Sequence, residues 1–236
     1  EARKGNTSDS LSADLKYAGK TKVEYIPQVE VSDYQFLRSL GVATGQVFST
    51  GDDAKKVSFK AADITAAPTL KIFREKPDKD AVSPLEAEFS IATVRQVAMV
   101  EVRGWNPKEK KAVLGKATAV SAAFDGTAGP AGAGKAHYGA GTSGRVLTII
   151  DHPVQDTTEA TELAQSILDS LAMQYSKAEI VCEGQPGVTA GDVIEVKGFG
   201  KAYDGKYLAE GCTHYYHADT GDPYTIRLSL VRNAVP

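Results

Sequence analysis

Residues 182–233 alternate apolar and polar side chains in short runs that are cut by turns. The alternation is clearest over residues 193–196 and 225–231, where it has the two-residue period of a half-buried strand. The turns between such strands contain glycine, and they are Pro186-Gly187, Ala190-Gly191 and Asp204-Gly205. This part of the chain is therefore expected to be β structure.

The composition argues against two classes of function. The chain has 236 residues, with 27 Lys plus Arg against 30 Asp plus Glu and a net charge of -3. General nucleic-acid binding usually needs a basic face, so we expect no nucleic-acid partner. No apolar run approaches the roughly 18 to 20 residues that span a bilayer, so direct membrane insertion is not expected either. The first residue is Glu1, and we expect the chain to be processed or one part of a longer product.

The two cysteines, Cys182 and Cys212, are too few for a disulfide scaffold and lack CxxC spacing. Buried free thiols are the preferred interpretation.

Further strands are predicted in the first half of the chain. Residues 46–48 and 56–59 flank Gly51-Asp52-Asp53, which is the signal of a hairpin. The remaining segments that resemble strands are 23–26, 69–73, 86–93 and 96–103.

Two helices are predicted from their N-terminal signals. Ser32 and Gln35 have the spacing of a capping box, so a short helix is expected over residues 33–40, with Gly41 as its terminating residue. One face of this helix is apolar and consists of Phe36, Leu37 and Leu40. A long helix is expected over residues 157–176, because apolar residues repeat there at helical spacing after an Asp156-x-x-Glu159 box.

A Gly/Ala-rich stretch over residues 126–144 imitates a phosphate-binding loop. Gly129 and Gly134-Lys135 have the spacing of such a loop. Ala136 stands where the magnesium-binding hydroxyl would be, and the glycines that follow do not favour a helix whose dipole would hold phosphate. We expect a mobile loop at the rim of a barrel that binds no nucleotide or other cofactor.

The other chemical candidates do not form a recognisable site. His214 and His217 would point to opposite faces of a strand, so they do not easily share a metal ion, and His137 and His152 are isolated. No nucleophile motif and no paired carboxylates stand out. We therefore predict no catalytic, cofactor-binding or metal-binding residues and no enzymatic activity.

A tyrosine cluster leaves two interpretations open. It consists of Tyr203, Tyr207, Tyr215, Tyr216 and Tyr224. Such rings could form a platform on which sugars stack, but tyrosines at alternate strand positions more often pack a sheet and send their hydroxyls to its rim.

Three separated blocks of residues carry a resemblance to a known family. The first block contains Gly184-Gln185-Pro186, Gly191, Tyr203-Asp204-Gly205-Lys206-Tyr207, His214 and Gly221-Asp222-Pro223-Tyr224-Thr225. The second contains Tyr25, Gln28, Ser32, Asp33, Tyr34, Phe36, Leu37 and Leu40. The third contains Val100-Glu101-Val102-Arg103-Gly104-Trp105-Asn106-Pro107, Lys110, Lys111 and Gly115. Together these blocks resemble the hub proteins of contractile injection systems, namely the phage late control gene D proteins and the VgrG-like spike proteins.

The resemblance implies a mainly β fold with some helix (β+α): two related small β-barrel domains, a short helix and one long covering helix. It divides the chain into a polar lead-in over residues 1–22, an N-terminal α+β or barrel part over 23–104, and a C-terminal β-barrel over 105–236. The Gly-rich loop over 126–144 and the helix over 157–176 belong to that last part. Trp105 is expected to be buried at the junction of the halves. Asn106 replaces the more usual Asp, which should change only one turn hydrogen bond.

The resemblance further implies a structural hub: a homotrimer that joins the hexameric tail tube protein to a central spike or spike-tip protein, among other baseplate components. Such a protein is assembled in the bacterial cytoplasm and becomes part of a phage virion or injection particle. A phage tail, a secretion system and an extracellular particle all remain open, as do a barrel portion before Glu1 and a spike domain after Pro236. The alternative is a tail module that binds or hydrolyses cell-wall carbohydrate.

Overall fold

The computed structural model describes residues 28–44, 46–50, 57–61, 63–75, 79–124, 138–139, 144–150, 152, 154–216 and 223–233. The chain divides into two compact units, residues 1–62 and residues 63–236. The helices of the described part are α1 (Asp33–Thr44) and α2 (Thr157–Met173). The strands are β1 (Gln46–Thr50), β2 (Val57–Ala61), β3 (Leu70–Phe73), β4 (Ala81–Val82), β5 (Pro84–Ile91), β6 (Met99–Asn106), β7 (Lys111–Ala117), β8 (Val146–Ile149), β9 (Ser176–Glu183), β10 (Val193–Lys197), β11 (Gly205–Tyr215) and β12 (Thr225–Arg232). The predicted class, mainly β with helices, is confirmed.

The first unit contains α1 and the hairpin of β1 and β2. The capping box at the start of α1 is confirmed: the Gln35 amide donates to Ser32 Oγ at 3.3 Å, and the Ser32 amide donates to Gln35 Oε1 at 3.2 Å. The predicted end of this helix is wrong, because Gly41 is helical and buried and α1 continues to Thr44. The hairpin is confirmed, with Phe48 opposite Phe59 in an antiparallel pair. The segment over 23–26 lies outside the described residues.

A seven-stranded sheet forms most of the second unit. Its strand order is β4-β3-β10-β11-β12-β9-β5, and β3 runs parallel to both β4 and β10 while the other pairs are antiparallel. One face of this sheet forms a core with fully buried side chains such as Ile72, Ile194 and Leu228. Strands β10 and β12 fall where the apolar–polar alternation predicts them.

A three-stranded sheet with the order β7-β6-β8 packs one face against α2. Val100 and Val102 of β6 and Leu163 and Leu168 of α2 belong to one buried cluster there. The helix lies close to the strands because Gly115 carries no side chain: a Cβ atom at that position would lie 2.2 Å from the backbone carbon of Ala160. The glycine therefore sets the distance between helix and sheet.

The N-terminal box of α2 is confirmed, and its end is earlier than predicted. Asp156 Oδ1 accepts from the Glu159 amide at 2.8 Å, and Glu159 Oε2 accepts from the Gln155 amide at 2.8 Å. The helix ends at Met173 instead of continuing to residue 176, because Ser176 already pairs with Arg232 as the first residue of β9. The pairing of Ser176 with a distant strand therefore ends the helix earlier than its apolar spacing alone predicts.

The boundary predicted at residues 104–105 falls inside the continuous strand β6. In the chain, the first compact unit ends at residue 62 and the second begins at residue 63. The predicted lead-in over 1–22 and most of the Gly-rich loop over 126–144 lie outside the described residues, and the pair of related barrels stays a prediction.

Candidate interaction surface

The three-stranded sheet has one face against α2 and a second face that no element of the described residues covers. Alternation along β6 places Val100 and Val102 toward the helix and Glu101, Arg103 and Trp105 on the other side. The register places Leu114 beside Arg103 and Lys116 beside Glu101. Ile150 follows β8, whose Ile149 packs toward the helix. We call this second side, consisting of Glu101, Arg103, Trp105, Leu114, Lys116 and Ile150, the open face.

Three large apolar side chains of the open face are exposed. The exposed fractions are 58% for Trp105, 42% for Leu114 and 75% for Ile150. The prediction that Trp105 is buried is therefore wrong, because the helix covers the other face of β6. An exposed apolar patch of this kind is typical of a binding surface.

A charged triad lies on the same face. Glu101 accepts from Lys116 Nζ at 2.9 Å and from Arg103 Nη2 at 2.8 Å. Its side chain is 7% exposed, while those of Arg103 and Lys116 are 61% and 45% exposed. Lys116 first, and then Arg103, lower the pKa of the Glu101 carboxyl. The triad thus presents its two cations outward, with a carboxylate beneath them.

The turn that follows Trp105 is fixed by Asn106. Its Oδ1 accepts from the amides of Lys108 and Glu109, both at 3.0 Å, and its Nδ2 donates to the Gln155 carbonyl at 2.8 Å. The expectation that Asn in place of Asp changes only one turn hydrogen bond is therefore incomplete. The amide adds a donor that joins this turn to the residue before the cap of α2.

A second exposed surface lies at β5, one end of the seven-stranded sheet. Leu85 and Ile91 are exposed to 63% and 38%, and the exposed Glu86 and Glu88 alternate along one face of the strand. Glu88 stands directly opposite Glu179 of β9, which is also exposed. The register places the exposed Lys177 on the same face, opposite Ser90 and two residues from Glu179, where it offsets the repulsion between these like charges. Ile91 lies on the other face of the strand, opposite the buried Ser176.

Two residues of the first motif block, His214 and Tyr224, meet at the end of the same sheet. His214 Nδ1 and the Tyr224 hydroxyl are hydrogen-bonded at 2.6 Å, and their rings stack with centroids 5.9 Å apart. His214 Nε2 lies 3.0 Å from the Val188 carbonyl oxygen and 3.3 Å from Cys212 Sγ. Burial raises the pKa of the Cys212 thiol, so this thiol stays protonated at neutral pH and is a poor nucleophile. The cluster joins the loop at Val188 to β11 and to the residue before β12.

The predicted tyrosine cluster separates into different environments. Tyr207 is fully buried and donates to the Tyr203 carbonyl at 2.7 Å, and Tyr203 packs on Phe89 with centroids 5.0 Å apart. Tyr215 and Tyr216 are exposed to 41% and 75%. The sheet-packing interpretation therefore holds for Tyr203 and Tyr207, and the five rings form no continuous platform.

The remaining predicted candidates come together nowhere in the described residues. His137 and His217, and the loop residues Gly129, Gly134 and Lys135, lie outside them, and His152 is exposed. Among the residues that the structure describes, no three His, Cys, Asp or Glu side chains are grouped so that they could hold a metal ion. The same part of the chain contains no helix that is long and apolar enough to cross a membrane.

The sequence analysis did not predict the open face, although the alternation of side chains along β6 can be read from the sequence.

The family model of the Alg8 N-terminal domain matches residues 5–217. The chain belongs to this family. A search among curated proteins found no sequence match.

Two solved structures share the fold of this member of the Alg8 N-terminal domain family. The tail protein from Neisseria meningitidis MC58 is 13% identical with a TM-score of 0.58, and the match covers 91% of this chain and 58% of that one. The 43 kDa tail protein of prophage MuSo2 from Shewanella oneidensis is 13% identical with a TM-score of 0.56, and the match covers 85% of this chain and 54% of that one. The chain thus has the fold of tail proteins and spans a little over half of their length.

Proposed function

We propose that this chain is a structural hub protein of a contractile injection machine, either a phage tail baseplate or a related secretion or injection particle. In this proposal it forms a homotrimer that adapts the hexameric tail tube to the central spike. It is assembled in the bacterial cytoplasm, becomes part of the virion or particle, and has no enzymatic activity.

The observation that carries the proposal is the fold of tail proteins over 91% of the chain. The open face adds a second support, because exposed large apolar side chains such as Trp105, Leu114 and Ile150 are typical of a surface that binds a partner. An adaptor between particle components needs such surfaces and needs no reactive groups.

Several motif residues that carry the resemblance to hub proteins also have structural roles in this fold. Gly115 admits the helix, Asn106 caps the turn after β6, and His214 joins Tyr224 to the Val188 loop. These roles stabilise a scaffold and do not assemble a reaction centre. They favour the hub over the alternative of a carbohydrate-binding or hydrolytic module, which needs a row of exposed rings or a pair of carboxylates in a cleft.

The test is to delete the gene from its source particle and image what is assembled. The hub proposal expects tubes without an attached spike, or no particles at all, and recovery when the wild-type gene is supplied in trans. Particles that assemble and inject normally but lack one enzymatic activity would contradict it. Light scattering on the purified chain should give the mass of a trimer, whereas a monomer that binds glycan would favour the carbohydrate module.

A further inference from the structure

We propose that Cys212, His214 and the backbone carbonyl of Val188 form a binding site for a zinc-like divalent cation at the end of the seven-stranded sheet. The site combines two side chains with one main-chain oxygen, so it differs from a cluster of three metal-binding side chains. A cation held there joins the loop between β9 and β10 to strand β11. The inference goes beyond the hub function and does not depend on it.

The three donor atoms form a compact triangle. Nε2 of His214 lies 3.0 Å from the Val188 oxygen and 3.3 Å from Sγ of Cys212, and Sγ lies 3.5 Å from the same oxygen. Bond lengths of about 2.0 to 2.3 Å in a tetrahedral zinc site place its sulfur, nitrogen and oxygen donors about 3.4 to 3.6 Å apart. The observed edges are shorter by about 0.1 to 0.4 Å, which small side-chain rotations remove. The triangle therefore has nearly the size of one face of that tetrahedron.

Strand geometry brings the two side-chain ligands together. Cys212 and His214 are two residues apart on β11, so their side chains share one face of the sheet. Val188 belongs to the loop between β9 and β10, and its side chain is 3% exposed and packs in the core. This packing fixes the position of the Val188 carbonyl beside the two side chains. The oxygen is thus in place before any cation binds.

Tyr224 gives His214 the support that a metal-binding histidine needs. Its hydroxyl is 2.6 Å from Nδ1 of His214. With the ring proton on Nδ1, the histidine donates to this hydroxyl and keeps Nε2 free to bind the cation, which is the usual arrangement of histidine ligands. With the ring proton on Nε2, the same atoms form a cluster held by hydrogen bonds alone. The experiment separates these two roles of the cluster.

The donor set selects the class of cation. Thiolate and imidazole together favour zinc-like ions, whereas magnesium and calcium prefer oxygen ligands throughout. A bound zinc ion deprotonates a coordinating thiol, so the Cys212 proton passes to solvent on binding. His214 stays neutral and only moves its ring proton from Nε2 to Nδ1. Because His214 is exposed, water reaches the fourth position of the tetrahedron.

The experiment titrates the full chain, kept reduced with a phosphine, with Co²⁺ and then with Zn²⁺, and follows the absorption spectrum. Co²⁺ should give a thiolate-to-cobalt charge-transfer band and the visible bands of four-coordinate cobalt, saturating at one ion per chain, and Zn²⁺ should remove them. Cys212→Ser should abolish the charge-transfer band. Cys182→Ala, which removes the other thiol, should leave the band unchanged.

The histidine and tyrosine arms test whether more than a free thiol is involved. His214→Gln should weaken Zn²⁺ binding by at least about tenfold in competition with a chromophoric chelator. Tyr224→Phe keeps the ring but removes the hydroxyl, and it should weaken binding by about 10- to 100-fold. Tyr216→Phe, which removes a hydroxyl from the ring beside Tyr224, should not weaken it. Urea unfolding shows that each variant is still folded.

Two results would overturn the inference. A chain that takes up neither Co²⁺ nor Zn²⁺ in a saturable way would leave the cluster with its hydrogen bonds only. His214→Gln and Tyr224→Phe variants that bind Zn²⁺ as tightly as wild type would show an adventitious ion on a free thiol only. Neither result bears on the hub proposal, which the deletion experiment decides.

Discussion

Gly184 and Tyr224 are in direct contact, because a Cβ atom on Gly184 would lie 1.9 Å from Cδ1 of the Tyr224 ring. The Gly184 amide also donates to the Tyr224 carbonyl at 2.8 Å. The ring lies over the glycine and places its hydroxyl 2.6 Å from Nδ1 of His214. Two motif residues that are forty positions apart in sequence therefore act as one packing unit.

Gly184→Ala should destabilise the fold by about 1 to 3 kcal/mol, because the added methyl group displaces the Tyr224 ring. The measurement is the free energy of unfolding in urea. Gly187→Ala is the control, since a Cβ atom there meets nothing within 4 Å, and it should stay within about 0.5 kcal/mol of wild type. Equal losses of unfolding free energy in the two variants would show that the Gly184–Tyr224 contact does not cause the destabilisation.

Gly115→Ala should separate α2 from the three-stranded sheet, because the new methyl group meets helix backbone that has no rotamer to change. We expect a loss of about 1 to 3 kcal/mol in thermal or urea unfolding. Gly211→Ala is the comparison, because its Cβ atom would be 3.7 Å from Ser229 Cβ, an ordinary contact distance. A Gly115→Ala variant as stable as Gly211→Ala would contradict the close helix–sheet packing.

Trp105→Ala should cost about 1 kcal/mol or less in the isolated subunit, because 58% of the side chain is exposed. The measurement is urea unfolding at a concentration low enough to keep the subunit monomeric. Val102→Ala, which empties a fully buried position on the opposite side of β6, should cost clearly more. A loss of 3 kcal/mol or more for Trp105→Ala, roughly what a buried tryptophan gives, would mean that the ring is covered.

The triad of Glu101, Arg103 and Lys116 should make stability depend on pH. Lys116 and Arg103 lower the pKa of Glu101 in the folded chain, so the carboxylate stabilises the fold at pH values above the normal glutamate range. This contribution is lost as the pH falls through the lowered pKa. Glu101→Gln should therefore lower the urea midpoint at pH 7 and make little difference at about pH 2 to 3.

The matched control for this pH dependence is Glu109→Gln. The Glu109 carboxylate also meets a lysine, Lys111, at 2.5 Å, but 55% of its side chain is exposed to water. Solvent screens such a pair, so its loss should change the midpoint less at either pH. A Glu101→Gln effect that is the same at both pH values would count against the triad.

The two thiols should react with a label at very different rates. Cys182 is fully buried, and burial raises its pKa to about 11, whereas Cys212 is only partly buried. At neutral pH the native chain should be labelled first at Cys212, and unfolding should expose two reactive thiols. Mass spectrometry follows the labels, and Cys212→Ser should abolish the faster one. An unfolded chain that takes no label would mean that the thiols are oxidised.

The sequence by itself determined the local structure. The capping boxes of Ser32 with Gln35 and of Asp156 with Glu159 fix where both helices begin, because each box satisfies backbone amides with side chains three residues away. The alternation over residues 193–196 and 225–231 marks two strands, since a strand with one buried face has a period of two. These signals need no distant partner.

Only the tertiary structure decided which faces are covered. Alternation along β6 groups Trp105 with Arg103 and Val100 with Val102, but it does not say which group meets the helix. Gly115 decides this, because its missing side chain admits α2 on the valine side and leaves Trp105 exposed. In the same way, Gly41 lies inside α1, although a glycine at that position is also a good terminator. Packing between distant residues chooses among arrangements that the local sequence allows equally.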